Sequence, residues 1–339
     1  MKLNKYINNP ILCANENNDW ESLCVLNPAV IYDEDDKKFK MLYRAAGHDK
    51  THYINLGYAE SDDGFVFIRK FDKPVLSPTP NNSDSGCIED PRLFKLNGWY
   101  YLTYASRTYA PGQYWMPDWK FLGDGPEDGI HFVSSNCSLT HLAISKDCIN
   151  WKKLGRISDS RFDDRDDILF PEKINGKFYL LSRGMERCGV GYKNENPAIW
   201  ISESDDMMEW DNYTLFLDGK ETWESKKIGG SCPPIKTKDG WLCIYHGVSK
   251  VDDAYRVGAL LLDLNDPRKI LSRTKDFIME PEYEYETSGY YNGCVFPTGN
   301  VIKDGILYVY YGCADKYVSV ATCDAEELLN YLKNECKVE

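Results

Sequence analysis

The sequence has no apolar run approaching the ~18 residues of a membrane-spanning helix, and Met1 to Pro10 lack the apolar stretch of a secretory leader. Basic residues are outnumbered: 40 Lys and Arg stand against 53 Asp and Glu, a net charge of −13. That balance argues against nucleic acid or an anionic membrane as the main partner, because both select cationic surfaces. Histidine is scarce, and His48, His52, His131, His141 and His246 show no metal-ligand spacing. No Cys-x-x-Cys pair occurs among the twelve cysteines, many of which sit in apolar runs, as Cys243 does between Leu242 and Ile244. Such thiols are expected to be reduced and buried, which predicts a cytoplasmic protein with no metal or other cofactor.

What the chain does have is aromatic residues and a repeat. Tyr and Trp number 24 and 9. Prolines at Asn27-Pro28, Asp90-Pro91, Phe170-Pro171, Pro233-Pro234 and Phe296-Pro297 fall 63, 80, 63 and 63 residues apart. Each opens the same pattern: a short apolar strand, a turn, and an aromatic-rich strand. The turns are Asp35-Asp36, Asn97-Gly98, Asn175-Gly176, Asp239-Gly240 and Asp304-Gly305; Asn-Gly and Asp-Gly between apolar runs are strong hairpin signals. A third strand follows in each unit. Three units then carry a Ser-x-Asp turn leading to an aromatic residue, at Ser61, Ser145 and Ser204. Four short strands repeated five times predict an all-β fold, a single five-bladed β-propeller over residues 1–339. Asp324 to Cys336 reads as a short closing helix with Leu328, Leu329 and Leu332 on one face. The long second interval holds an insertion within Arg107 to Cys137 that contains Tyr109, Tyr114, Trp115, Trp119 and Phe121. It reads as a lid over an axial cleft, an oligomer contact or a plain surface loop.

The repeat also predicts where chemistry sits, since positions beside the prolines converge. Asp90 is an acid where the other units have Asn27, Phe170, Pro233 and Phe296. After the aromatic strands come Arg44, Arg183 and His246, and Arg165 and Lys227 lie shortly before two first strands. Five cationic or potentially cationic groups from different units suggest an anion site, since Arg suits bidentate recognition of phosphate and Lys acts as a point charge. The alternative is that each pairs with an acid such as Asp163, Asp164, Asp166 or Glu224. A glycosidase normally needs two carboxylates. One acid opposite a basic cluster fits a different arrangement, in which inorganic phosphate is itself the nucleophile.

These residues resemble glycoside hydrolase family 130. The resemblance rests on Asp19-Trp20-Glu21 with Asn27-Pro28-Ala29, Leu42-Tyr43-Arg44-Ala45, Glu89-Asp90-Pro91-Arg92 and Leu169-Phe170-Pro171-Glu172-Lys173-Ile174. It continues through Trp223-Glu224-Ser225 with Lys227-Ile228-Gly229, Gly240-Trp241-Leu242 with Tyr245-His246-Gly247-Val248, and Tyr310-Tyr311-Gly312 with Ala314-Asp315. The segments are weak singly and specific together, and they span nearly the whole chain in order. The resemblance implies a five-bladed propeller and, for most members, inverting phosphorolysis of a β-mannoside with release of α-mannose 1-phosphate. It implies that Asp90 is the general acid, protonating the mannose 3-hydroxyl, which relays a proton to the glycosidic oxygen. Arg165, Arg183, Lys227, His246 and Tyr255 match phosphate-binding positions; Asn27, Arg44 and Asp315 match positions that hold the transferred mannose.

The expected partners are therefore a small mannoside and phosphate, with no nucleic acid and no membrane; a homo-oligomer is compatible. A β-1,2-linked mannobiose or oligomannoside is the first expectation for substrate and a β-1,4-linked mannoside the second. A hydrolytic β-mannosidase on the same fold and a non-catalytic glycan-binding propeller are the rival readings, since fold alone proves neither.

Overall fold

Proline cannot donate to a strand ladder, so a strand that carries one mid-length lies at a sheet edge or bulges there. The structure, a computed structural model that describes residues 1–119 and 129–338, shows this in three repeats. The ladder slips between Leu26 and Ala29, between Glu89 and Arg92 and between Pro297 and Gly299. In the other two repeats the proline lies just beyond a short strand, after Ile168–Leu169 and between Lys227–Gly230 and Ile235–Lys236.

The described residues form an all-β fold of five antiparallel units. The first comprises Cys24–Asp33, Lys38–Ala46, Ile54–Ser61 and the short Ile68–Arg69; the second comprises Cys87–Leu96, Trp99–Arg107, Leu139–Ser145 and Trp151–Arg156. A single parallel pairing, Ile54 with Cys87, joins these two units. The third unit is Ile168–Leu169, Phe178–Ser182, Ile199–Ser204 and Asp211–Leu217. The fourth is Lys227–Gly230 and Ile235–Lys236, both beside Trp241–Val248, then Tyr255–Leu262 and Ile270–Arg273. The fifth takes Val295–Lys303, Ile306–Cys313 and Tyr317–Asp324 from its own sequence and a fourth strand, Asn4–Lys5, from the N-terminus, where Asn4 pairs with Thr322.

Local chemistry sets these turns. Asn97-Gly98, Asn175-Gly176 and Asp304-Gly305 have positive φ at both positions, between 50° and 86°, as a tight hairpin that matches strand twist requires. At the Ser-x-Asp turns, Ser61 Oγ accepts from Gly64 N at 2.9 Å and Asp63 Oδ1 from Phe65 N at 2.8 Å. Ser145 with Asp147, and Ser204 with Asp206, repeat that pair of bonds. A side-chain acceptor that satisfies the turn's own N–H groups fixes the exit direction to the outer strand.

Alternate side chains of each sheet pack on the next unit. Leu42 and Tyr58 meet Leu93 and Leu102, while Leu181 and Ile201 meet Trp241 and Leu260. Met41 and Tyr43 of the first unit share a buried cluster with Tyr310 and Val320 of the last. The helix predicted over 324–336 spans Ala325–Glu335; Asp324 caps it by accepting from Glu327 N at 2.8 Å, and Leu328, Leu329 and Leu332 are buried. Among the described residues no helix is long and apolar enough to cross a membrane. Phe121 of the aromatic insertion lies outside the described residues.

Candidate active site

The bulges aim side chains. Asn27 and Asp90 each precede a proline and adopt left-handed backbone (φ 44° and 51°), a region that Asn and Asp tolerate better than most residues. Their side chains meet: Asn27 Nδ2 donates to Asp90 Oδ1 at 2.7 Å. Arg44, opposite Leu26 on the neighbouring strand, donates to the same oxygen at 2.8 Å and pairs with Glu89 at 3.0 Å. Gly312 makes the approach possible, because a Cβ there would lie 1.8 Å from Asn27 Oδ1. Burial pushes the Asp90 carboxyl up, but the Arg44 and Arg92 guanidiniums and the Asn27 bond outweigh it and hold the group below its ordinary value. Asp315, also left-handed (φ 54°), accepts from the Tyr114 hydroxyl at 2.6 Å. Burial raises its carboxyl, against the opposing pull of Arg44 and Tyr114. Two carboxyls in one site are thus pushed apart in acidity.

Basic groups line the same cavity. Arg183 follows the strand that ends at Ser182, and His246 lies opposite Gly229. Arg183 pairs with Asp166 at 2.7 Å, Arg92 reaches the other Asp166 oxygen at 3.2 Å, and His246 Nε2 lies 3.5 Å from Asp166 Oδ2. Arg165 pairs with Asp163 at 3.0 Å. Lys227 makes no ion pair among the described residues; its ammonium lies 5.2 Å from the centre of the Tyr255 ring. Burial, then Arg183 and Arg165, lower the Lys227 ammonium to about 7. Arg183 Nε and NH1 and His246 Nε2 are buried without a hydrogen-bond partner within the protein. Buried polar groups are rarely left so, and orphaned donors beside a lysine with no counter-ion suit an anion.

All nine residues predicted for the site, Asn27, Arg44, Asp90, Arg165, Arg183, Lys227, His246, Tyr255 and Asp315, line one cavity of about 490 Å³. The charge state of His246 and the acid partners of the arginines, both left open by the sequence, can be specified. His246 is not a cation: burial, with Arg183, Lys227 and Arg92 nearby, drops its imidazole to about 3, so it is neutral in the physiological range. Arg165 and Arg183 do have acid partners, Asp163 and Asp166, whereas Glu224 serves Tyr245 and Arg273 at 2.7 and 2.5 Å, outside the cluster. Sequence reasoning gave Glu89 and Arg92 no role in the site; it named Asp166 only as a possible partner of the basic groups and Tyr114 only as part of the insertion. Glu89 and Arg92 flank the bulge that presents Asp90, so the Glu-Asp-Pro-Arg run itself carried the signal.

The insertion reaches the same cavity. Tyr114 and Trp119 line it together with Pro111, and Trp119 Nε1 donates to Pro111 O at 2.8 Å. Trp115 packs against His52 and Tyr290, with ring centres 4.8 and 4.5 Å away, so the segment is tied to the first and last units at once.

The profile of glycoside hydrolase family 130, described as beta-1,4-mannooligosaccharide phosphorylase, matches residues 4–117 and 132–334; the gap falls inside the aromatic insertion. The chain is 39% identical over 334 residues to a 1,2-beta-oligomannan phosphorylase of Thermoanaerobacter sp. (strain X514), covering 97% of this chain and 99% of the relative. A beta-1,2-mannobiose phosphorylase of the same organism is 38% identical over 339 residues, covering 96% and 99%. The structure of beta-1,2-mannobiose phosphorylase from Listeria innocua, in complex with beta-1,2-mannobiose, superposes with a TM-score of 0.79 at 25% identity, covering 99% of this chain and 100% of that one.

Proposed function

The chain belongs to glycoside hydrolase family 130, and on that premise we propose that it cleaves the non-reducing mannose from β-1,2-linked mannooligosaccharides with inorganic phosphate, releasing α-mannose 1-phosphate. The observation that carries this reading is that one cavity holds both Asp90, bonded to Asn27 and Arg44, and the basic groups Arg165, Arg183 and Lys227. The full-length relatives named for β-1,2-mannosides support the linkage.

In this mechanism the basic groups hold phosphate against the face of C1 opposite the leaving oxygen. A phosphate oxygen forms a bond to C1 as the C1–O bond to the next sugar breaks. Asp90 gives its proton to the mannose 3-hydroxyl, which passes its own to the departing oxygen. The free protein holds Asp90 ionised. A bound phosphate opposes the field of Arg44 and Arg92 and so raises the proton affinity of Asp90, which arms the acid when both substrates are present. Neutral His246 donates a hydrogen bond rather than a charge. Displacement from the opposite face inverts the anomeric centre. In an NMR time course with β-1,2-mannobiose and phosphate, the α anomer of mannose 1-phosphate is the first sugar phosphate formed; first appearance of the β anomer would contradict a single displacement.

Asn27, Arg44 and Asp315 hold the mannose, and the Tyr114 hydroxyl orients Asp315 toward it. Tyr114→Phe removes one charge-assisted hydrogen bond, about 1.5–3 kcal/mol. The expected result is a rise of about 10- to 100-fold in KM for mannoside with KM for phosphate unchanged; an equal rise in both would count against the assignment. Lys227 gives the site a pH dependence. Its ammonium is charged below about 7 and loses its proton above, so phosphate binding weakens as pH rises. KM for phosphate is expected to climb several-fold between pH 6 and 9 in the wild type, beyond the change in Lys227→Arg, which keeps its charge. Identical profiles would remove Lys227 from the phosphate site.

We propose further that the five units form one catalytic domain closed as a five-bladed propeller. Packing of the last unit on the first and pairing of the N-terminal strand with the last sheet support closure. Twelve unpaired cysteines, ten of them buried, fit a reducing, cytoplasmic setting.

A further inference from the structure

A second cavity, about 840 Å³ in volume, lies at the junction of the first two units. It is bounded by the segment leading into strand Ile54–Ser61, by residues 78–85, which precede strand Cys87–Leu96, and by both arms of the aromatic insertion. Among the described residues none of the side chains lining it is charged, although charged residues make up 27% of the chain. The lining instead combines the rings of Tyr53, Tyr109 and Phe132 with the amides of Asn55 and Asn81 and the hydroxyl of Ser83. Tyr53 is 47% exposed, and neither Tyr53 nor Asn55 makes a side-chain hydrogen bond within the protein among the described residues.

This chemistry is selective. A neutral groove gives no counter-charge to an ionic ligand and leaves such a ligand's desolvation uncompensated. Amides and hydroxyls both donate and accept, as sugar hydroxyls require, and aromatic rings pack against the apolar faces of sugar rings. Location adds to chemistry. The wall of this groove is also the wall of the catalytic cavity: Thr108, Tyr109 and Phe132 face the groove, whereas Arg107, Pro111 and Asn136 line the catalytic side. The two arms of that wall are tied by Asn136, whose amide donates to Tyr109 O at 3.0 Å and accepts from Tyr109 N at 2.9 Å. The two cavities therefore share one wall.

We propose that this groove is a second carbohydrate site, which binds the reducing-end portion of a β-mannooligosaccharide whose non-reducing end occupies the catalytic cavity. The inference rests on the proposed mannoside substrate and adds to it a basis for preferring longer chains. The test has two readouts, one of which needs no turnover. The first is binding of β-1,2-mannohexaose and β-1,2-mannobiose to the Asp90→Asn protein by calorimetry, with and without Tyr53→Ala. The expected result is about 10-fold tighter hexaose binding than mannobiose binding, lost on adding Tyr53→Ala, with mannobiose binding unchanged. The second is kcat/KM for the two sugars in wild type and in Tyr53→Ala alone, where the hexaose advantage falls toward unity and mannobiose turnover is preserved.

Equal affinity for both sugars in the Asp90→Asn protein would overturn the groove while mannobiose phosphorolysis upheld the main function. Dissociation of an oligomer by Tyr53→Ala in sedimentation, without change in chain-length preference, would assign the surface to a second copy and overturn it equally. Failure of wild type to phosphorolyse any mannoside would count against the catalytic reading, and hexaose binding would still decide the groove. Asn55→Ala serves as the second variant should Tyr53→Ala not fold.

Discussion

Asp90→Asn lowers kcat for β-1,2-mannobiose phosphorolysis by about 10²–10⁴-fold, the usual worth of a positioned general acid, with little change in KM for either substrate. The substitution is close to isosteric. Asn Oδ1 still accepts from Asn27 and Arg44, and Arg44 keeps its ion pair with Glu89 at 3.0 Å, so no buried cation is left bare. What is lost is the proton. The variant should therefore retain most of its activity toward a dinitrophenyl β-mannoside, whose leaving group needs no protonation. An equal loss on both substrates would mean that Asp90 shapes the site rather than supplying the acid. A binding protein with this fold would show no functional loss in the variant.

Lys227→Ala raises KM for phosphate by about 10- to 100-fold, as expected for loss of a charge-assisted contact of about 1.5–3 kcal/mol, and leaves KM for mannoside within about two-fold. Lys227 is a cleaner test than its neighbours. Arg183 is buried on Asp166 at 2.7 Å and Arg165 is paired with Asp163 at 3.0 Å; removing Arg165 strands Asp163, and removing Arg183 leaves buried Asp166 to Arg92 alone, so either change confounds binding with folding. Lys227 has no such partner among the described residues, and removing an ammonium already lowered by burial relieves a cost rather than creating one. Equal effects on phosphate and mannoside would place Lys227 elsewhere in the reaction.

Much of this site was legible because the repeat made it so. Prolines recurring 63 or 80 residues apart marked the first strands, three of which bulge there, and two of these bulges bring Asn27 and Asp90 within 2.7 Å although 63 residues separate them. Position within a strand likewise placed Arg44, Arg183 and His246 on one cavity. Properties that arise only from burial were not legible: the neutrality of His246 depends on its surroundings, not on its neighbours in sequence. Nor were pairings across units. The strand Asn4–Lys5 is too short to show alternation, yet it completes the last sheet at Ala321 and Thr322. Tyr114 meets Asp315 across 201 residues, from an insertion with no strand pattern. Asp166 was visible as an acid near the cluster; that it anchors Arg92 and Arg183 together is a fact of three dimensions.

The central claim, that phosphate is the nucleophile, is tested most directly by incubating the protein with β-1,2-mannobiose in the presence and absence of inorganic phosphate and assaying mannose 1-phosphate and free mannose. The account predicts equimolar mannose 1-phosphate and mannose with phosphate present, and no cleavage without it. Release of two mannose molecules per disaccharide at the same rate in both conditions would contradict it.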